Sequence, residues 1–249
     1  MSDRILTALP VYNEASHVRS VLTQVLQHSD DVLVVNDGST DGTLEALQEL
    51  EDQITIESHP TNLGCGAALK TAFEYAVRFG YDVLVTIDCD GQHQPRLIRR
   101  IAELVDAPDQ PVDMVSGSRY LSEFADNSRA PEDRRAINMQ ITRCLNEKLG
   151  FSITDAFCGF KAYRVSSLAD LDITDTGYAM PLQLWIQAAD MQWRISEFPV
   201  PLVYLEEERS FGGALDDSEV RLAHYRSVLN KELSRRGMQQ RFSADCGQR

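Results

Sequence analysis

Asp82-Val83-Leu84-Val85-Thr86-Ile87-Asp88-Cys89-Asp90-Gly91-Gln92-His93 carries fold and chemistry in one stretch. Asp82–Asp88 is short and dominated by Val, Leu and Ile, the pattern of a buried strand. Directly after it the chain turns acidic, polar and glycine-bearing. Two carboxylates flanking one residue at a strand end can share a hard divalent cation, with the Gln92 amide as a further oxygen donor. Such a cation would neutralise a diphosphate and stabilise the charge on a departing phosphorylated group. The same residues also suit a solvated turn, because Asp and Gly favour turns. The neighbouring segments decide between the two.

Upstream, Ile5–Leu9, Asp31–Asn36 and Ile54–Ser58 repeat the strand pattern. Between them Val18, Val21, Leu22, Val25 and Leu26 recur at helical spacing, as do Leu44, Leu47 and Leu50. A third apolar stripe, Ala68–Val77, stops at Gly80, and Pro95 is placed to open a fourth helix bearing Leu97, Ile98, Ile101 and Leu104. Repeated strand–helix–strand units imply an α/β fold with a mainly parallel sheet and helices on both faces. After a strand over Asp113–Arg119 the rhythm changes. Ser122–Asp133 reads as loop, Ala136–Leu149 as a helix ending at Gly150, and Met180–Met191 as another helix. Phe160–Val165 and Trp193–Leu205 read as strands, the second demoted to an edge or bulged strand by Pro199 and Pro201. Glu206–Asp217 reads as a mobile loop, with Gly212-Gly213 as its flexible point, before a last helix over Ser218–Arg236. No repeat or linker divides the chain.

In open α/β sheets the ligand crevice lies beyond the C-terminal strand ends. Pro10-Val11-Tyr12-Asn13-Glu14 follows the first strand, Asp37-Gly38-Ser39-Thr40-Asp41-Gly42-Thr43 the second, and Asn62-Leu63-Gly64-Cys65-Gly66 the third. With the segment after Asp88, four such loops converge, which favours the cation clamp over the bare turn. Asp37 sits directly at a strand end, where a carboxylate can accept hydrogen bonds from a base or ribose. Gly38, Asp41 and Gly42 are read as turn and cap residues.

Composition narrows the classes. Asp and Glu number 38 against 24 for Lys and Arg, a net charge of −14, which disfavours nucleic-acid binding. The five cysteines include no Cys-x-x-Cys pair, so neither a zinc site nor a disulfide framework is indicated. Met1-Ser2-Asp3-Arg4 leads straight to a strand without a signal-peptide segment, and no apolar stretch approaches the ~18 residues of a membrane span. The expectation is a cytoplasmic chain whose membrane contact, if any, is peripheral.

Pro10-x-Tyr12-Asn13-Glu14, the Asn36–Thr43 loop, Asn62-x-Gly64, Asp88-x-Asp90-Gly91-Gln92-His93 and Gly117-Ser118-Arg119-Tyr120 occur in the order and approximate spacing of family 2 glycosyltransferases. The chain resembles that family over residues 1–210, and within it the dolichyl-phosphate mannosyltransferase and polyprenyl-phosphate glycosyltransferase branch; Asp155–Lys161 and Glu197-x-Pro199-Val200 continue the match. The resemblance implies a GT-A (Rossmann-like) catalytic domain over 1–210, with 211–249 a C-terminal loop, helix and tail packed on it. It implies an inverting transfer of a hexose from a nucleotide sugar, of GDP-mannose or UDP-glucose type, to a polyprenyl or dolichyl phosphate. On this resemblance Pro10, Tyr12, Glu14 and Asp37 hold the nucleoside, Asp88 meets the donor ribose or sugar, and Asp90 and Gln92 bind Mg²⁺ or Mn²⁺. Arg119 binds phosphate or forms an ion pair, and Arg209 closes over the donor diphosphate or acceptor phosphate.

One departure from the family pattern lies in the closing loop. The closing-loop arginine is commonly followed by Gly-x-Ser-Lys, whereas Arg209 precedes Ser210-Phe211-Gly212-Gly213-Ala214-Leu215 without a lysine. A hydroxyl acceptor therefore stays open, and it would need a general base. Asp155 is the candidate base, with a structural carboxylate as its other reading. Two rivals from other classes remain. One is a haloacid-dehalogenase-type phosphatase using Asp88 and Asp90; the other is a non-catalytic nucleotide-sugar-binding subunit.

Overall fold

The protein's structure, a computed structural model, describes residues 3–125, 127–204 and 210–238. Strands β1 (Ile5–Val11), β2 (Asp31–Asn36), β3 (Thr55–Ser58) and β4 (Val83–Thr86) alternate with helices α1 (Val18–Val25), α2 (Thr43–Gln48) and α3 (Cys65–Arg78). A 3-10 turn at Pro95–Leu97 leads into α4 (Ile98–Glu103), then β5 (Met114–Ser118), α5 (Glu132–Leu149), β6 (Lys161–Arg164) and α6 (Val165–Leu168). Helix α7 (Met180–Asp190), β7 (Ile195–Pro199) and α8 (Ser218–Arg235) complete the order.

The seven strands form one sheet in the order β3-β2-β1-β4-β6-β5-β7. All run parallel except β6, which is antiparallel to both β4 and β5. Alternation along the strands builds two cores. Leu6, Ala8, Leu33, Val35 and Leu84 face one side, under α3, α5, α7 and α8. Leu9, Val11, Val32, Val34, Val83 and Val85 face the other, under α1, α2 and α4. Both faces are therefore covered, the condition under which parallel strands read as unbroken apolar runs.

Of the two readings of β7, the edge strand is the one seen: among the described residues its one partner is β5, and Pro199 is its last residue. Helix α5 ends at Gly150, whose φ of +75° gives the left-handed cap. Helix α8 buries Tyr225, Leu229 and Leu233 in the core that also contains Leu6 and Ala8. No helix among the described residues is long and apolar enough to cross a membrane.

Candidate active site

Parallel strands place their C-terminal ends on one rim, and β6, running the other way, begins there. The first two loops are knitted to each other. Asn13 holds φ +54°, a region Asn tolerates better than most residues; its N–H donates to Ser39 Oγ (3.0 Å) and its Oδ1 accepts from Thr40 N (2.8 Å). Thr43 Oγ1 lies 2.8 Å from Glu14 N. Asp41 accepts from Thr43 N and Ala15 N, in keeping with its reading as a turn residue.

Asp37 is 2% exposed and fixes the third loop. Its Oδ1 meets His59 Nδ1 (2.6 Å) and accepts from Leu63 N (2.9 Å), and its Oδ2 accepts from Gly64 N (2.8 Å). His59, which the sequence left without a nameable partner, ties this carboxylate to Thr71 Oγ1 of α3 at 2.9 Å. Gly38 must be glycine, with φ +68° and a would-be Cβ 2.3 Å from the Thr61 carbonyl carbon. Cys65 opens α3 at the cleft. Burial, with the charges of Asp88, Asp175 and Asp37, pushes its pKa up to about 12, so it remains a thiol.

At the end of β4, the Asp88 side chain is 43% exposed toward the cleft, and its Oδ2 lies 3.2 Å from His93 Nε2. Asp90 Oδ1 accepts from Gln92 N at 2.9 Å, a turn that places Asp90 and Gln92 together on the cleft wall. Among the described residues no group of three His, Cys, Asp or Glu side chains could hold a metal by itself. The donor set here is one carboxylate and one amide, Asp90 and Gln92, with Asp88 beside them. That suits a hard cation completed by a substrate's phosphate oxygens and water, as Mg²⁺-type sites usually are.

Past the end of β5, Arg119 pairs with Asp155 through two parallel bonds, Nε–Oδ2 at 2.7 Å and Nη2–Oδ1 at 3.0 Å. Asn138 Nδ2 donates to Asp155 Oδ1 (2.7 Å), as does Phe157 N (3.1 Å), while Arg119 N donates to Oδ2 (3.2 Å). Burial alone would raise the Asp155 pKa, but the Arg119 guanidinium and these donors outweigh it and hold the carboxyl well below the usual range. This geometry favours the structural-carboxylate reading of Asp155 over that of a general base. Its side chain is 0% exposed, it is absent from the cleft lining, and its oxygens are taken up by the protein. Asp155 orients Arg119, which does reach the cleft. Lys161 and Glu197 complete the support: Lys161 Nζ donates to Ser116 Oγ (2.6 Å), and Glu197 Oε1 accepts from Thr154 N (2.8 Å) and Asp155 N (3.2 Å).

One cleft of about 920 Å³ is lined by Pro10, Tyr12, Glu14, Asp37, Asp88, Asp90, Gln92 and Arg119. Of the residues singled out in the sequence, these are brought together, Asp155 lies behind the wall, and Arg209 lies outside the described residues. Sequence reading missed Arg134 and Asn138 of α5, Phe211, and Arg221 and Tyr225 of α8. The i,i+4 spacing of Arg134 and Asn138 was an available signal, since it sets both on one helix face. Phe211 lies 4.7 Å from the Arg134 guanidinium and 4.5 Å from that of Arg221. Carboxylates thus gather over β2, β1 and β4, and arginines over β5, α5 and α8.

The family model described as Glycosyl transferase family 2 matches residues 7–172. An undecaprenyl-phosphate mannosyltransferase of Micrococcus luteus is 30% identical over 232 residues, 89% of this chain and 93% of that protein. Polyprenol monophosphomannose synthase of Mycolicibacterium smegmatis is 31% identical over 216 residues, 83% of this chain and 79% of that one. Among solved structures, glucosyl-3-phosphoglycerate synthase from Mycobacterium tuberculosis with Mn²⁺ and UDP-glucose superposes with a TM-score of 0.71. It covers 95% of this chain and 80% of its own at 21% identity, a likeness of fold.

Proposed function

The chain belongs to glycosyl transferase family 2, and from that premise we propose that it moves a hexose from a nucleotide sugar to a polyprenyl phosphate. The observation that carries this reading is the division of one cleft into a carboxylate side and an arginine side. Pro10, Tyr12, Glu14 and Asp37 hold the nucleoside, and Asp88 faces the donor sugar. Asp90 and Gln92 hold Mg²⁺ or Mn²⁺, which when bound neutralises the diphosphate leaving group. The named polyprenyl-phosphate mannosyltransferase relatives favour GDP-mannose as donor, with UDP-glucose the second choice.

Arg119, held by Asp155, and Arg134 present guanidinium groups where an anionic acceptor would sit. A phosphate acceptor is already anionic and needs little help from a base. That agrees with Asp155 being withdrawn from the cleft and committed to Arg119. Direct displacement at the anomeric carbon inverts its configuration. Arg209 remains, by family resemblance, the arginine proposed to close over the phosphates. A long-chain lipid acceptor implies work at a membrane surface, so the proposed location is peripheral on the cytoplasmic face.

The test is a thermal-shift panel of GDP, UDP and their sugars with and without Mn²⁺. One nucleoside diphosphate is expected to stabilise the protein in a metal-dependent way, about 2.7 kcal/mol at a hundredfold excess over Kd. Asp90→Ala should lose most of that stabilisation. Equal stabilisation of wild type and Asp90→Ala would refute the metal assignment.

A further inference from the structure

Asp88 has a seat closed on two sides. On one side the His93 ring presents Nε2 3.2 Å from Asp88 Oδ2, and the His93 side chain is only 5% exposed. On the other, Gly159, just before β6, leaves no room for a side chain: a Cβ there would stand 2.3 Å and 2.5 Å from the two Asp88 oxygens. The ring is fixed in turn, lying against Phe160 with centroids 5.6 Å apart. Its Nδ1 is buried and meets no hydrogen-bond partner among the described residues. A proton on Nδ1 would be a buried donor facing nothing, so in the neutral ring it belongs on Nε2, which makes His93 the donor and Asp88 Oδ2 the acceptor.

We infer that His93 is a positioning residue that holds one Asp88 oxygen in place and so aims the carboxylate at the donor sugar. This rests on the glycosyltransferase reading of the cleft. The physical need arises from the Asp88-x-Asp90 spacing itself. Two carboxylates beside one cation tend both to turn toward it. An N–H held on Oδ2, with the Gly159 backbone behind, restrains that rotation. Asp88 thereby keeps its aim at the donor sugar while Asp90 serves the cation. Groups that hold a reacting constellation in register in this way typically cost ~10–100-fold in activity when removed.

Two variants test this. His93→Phe keeps a ring against Phe160 and deletes the donor; His93→Gln restores an N–H of similar reach. Melting temperature, Mn²⁺-dependent affinity for GDP and UDP, affinity for GDP-mannose and UDP-glucose, and steady-state transfer to undecaprenyl phosphate in detergent are measured for both. The expected result is near-wild-type melting and diphosphate affinity in both variants. In His93→Phe, kcat should fall by ~10–100-fold, and sugar-nucleotide affinity should fall relative to that of the diphosphate. His93→Gln should recover most of both losses. The inference is overturned if His93→Phe turns over like wild type, if diphosphate affinity falls in step with kcat, or if His93→Gln is as impaired as His93→Phe. A wild type that transfers no sugar would remove the parent reading instead. The ratio of sugar-nucleotide to diphosphate affinity in the two variants would then decide the role of His93.

Discussion

Asp155→Asn separates the two readings of this residue. As a base, Asp155 would cost activity and little stability when neutralised. As the buried partner of Arg119, it should cost stability, because breaking a buried pair strands the remaining charge at ~3–5 kcal/mol. Denaturant unfolding at neutral pH is expected to show a loss of that order. The pH dependence follows from the depressed carboxyl. Its contribution is fully present above the unfolded Asp value, about pH 4, and is lost as pH falls from there through the lower folded value. The stability gap between wild type and Asp155→Asn should therefore be widest near neutrality and narrow in acid. A gap that grows in acid would contradict the pairing. This residue also marks where sequence reading stopped. Asp88, Asp90, Gln92 and Asp37 were legible because each stands at a strand end, a place that chain order fixes. Asp155 was not, since its function depends on Arg119 and Asn138, brought from β5 and α5 only by folding.

At the level of elements, the strand and helix pattern carried most of the fold. β2 matches the sequence expectation in full, and β1, β3, β4 and β5 differ only at their ends. The direction of β6 was not legible, because apolar patterning is the same whichever way a strand runs. Yet the reversal is what brings Gly159 to the rim beside Asp88. Helix α8 was visible from its apolar spacing, but its buried charges were not. Arg221 pairs with Asp133 of α5, and Glu232 accepts from Gln183 and Gln187 of α7, contacts that span much of the chain. The start of α8 is set by Asp217, whose Oδ1 accepts from Glu219 N and Val220 N, each at 2.9 Å. Asp217→Ala should destabilise the protein by ~1 kcal/mol in denaturant unfolding. Because α8 carries Arg221 and Tyr225 into the cleft, fraying there should also weaken acceptor use more than nucleotide binding. Equal effects on both would place α8 outside acceptor recognition.

For the molecule as a whole, an acidic chain of net charge −14 concentrates arginines at one side of one cleft. Arg119, Arg134 and Arg221 line that side, Arg119 held by Asp155 and Arg221 by Asp133, and present guanidinium donors to an anionic acceptor. The opposite side is acidic and suited to a cation-bridged diphosphate. Family membership fixes glycosyl transfer, and this polarity is what favours a phosphate over a hydroxyl as the receiving group. The direct measurement is incubation of the purified protein with labelled GDP-mannose or UDP-glucose, undecaprenyl phosphate in detergent, and Mg²⁺ or Mn²⁺. Label extracted into organic solvent is then followed. The account predicts a metal-dependent, organic-soluble glycosyl phospholipid from one of the two donors, absent without the lipid phosphate. Tight, metal-dependent diphosphate binding with no sugar transferred from either donor would contradict it.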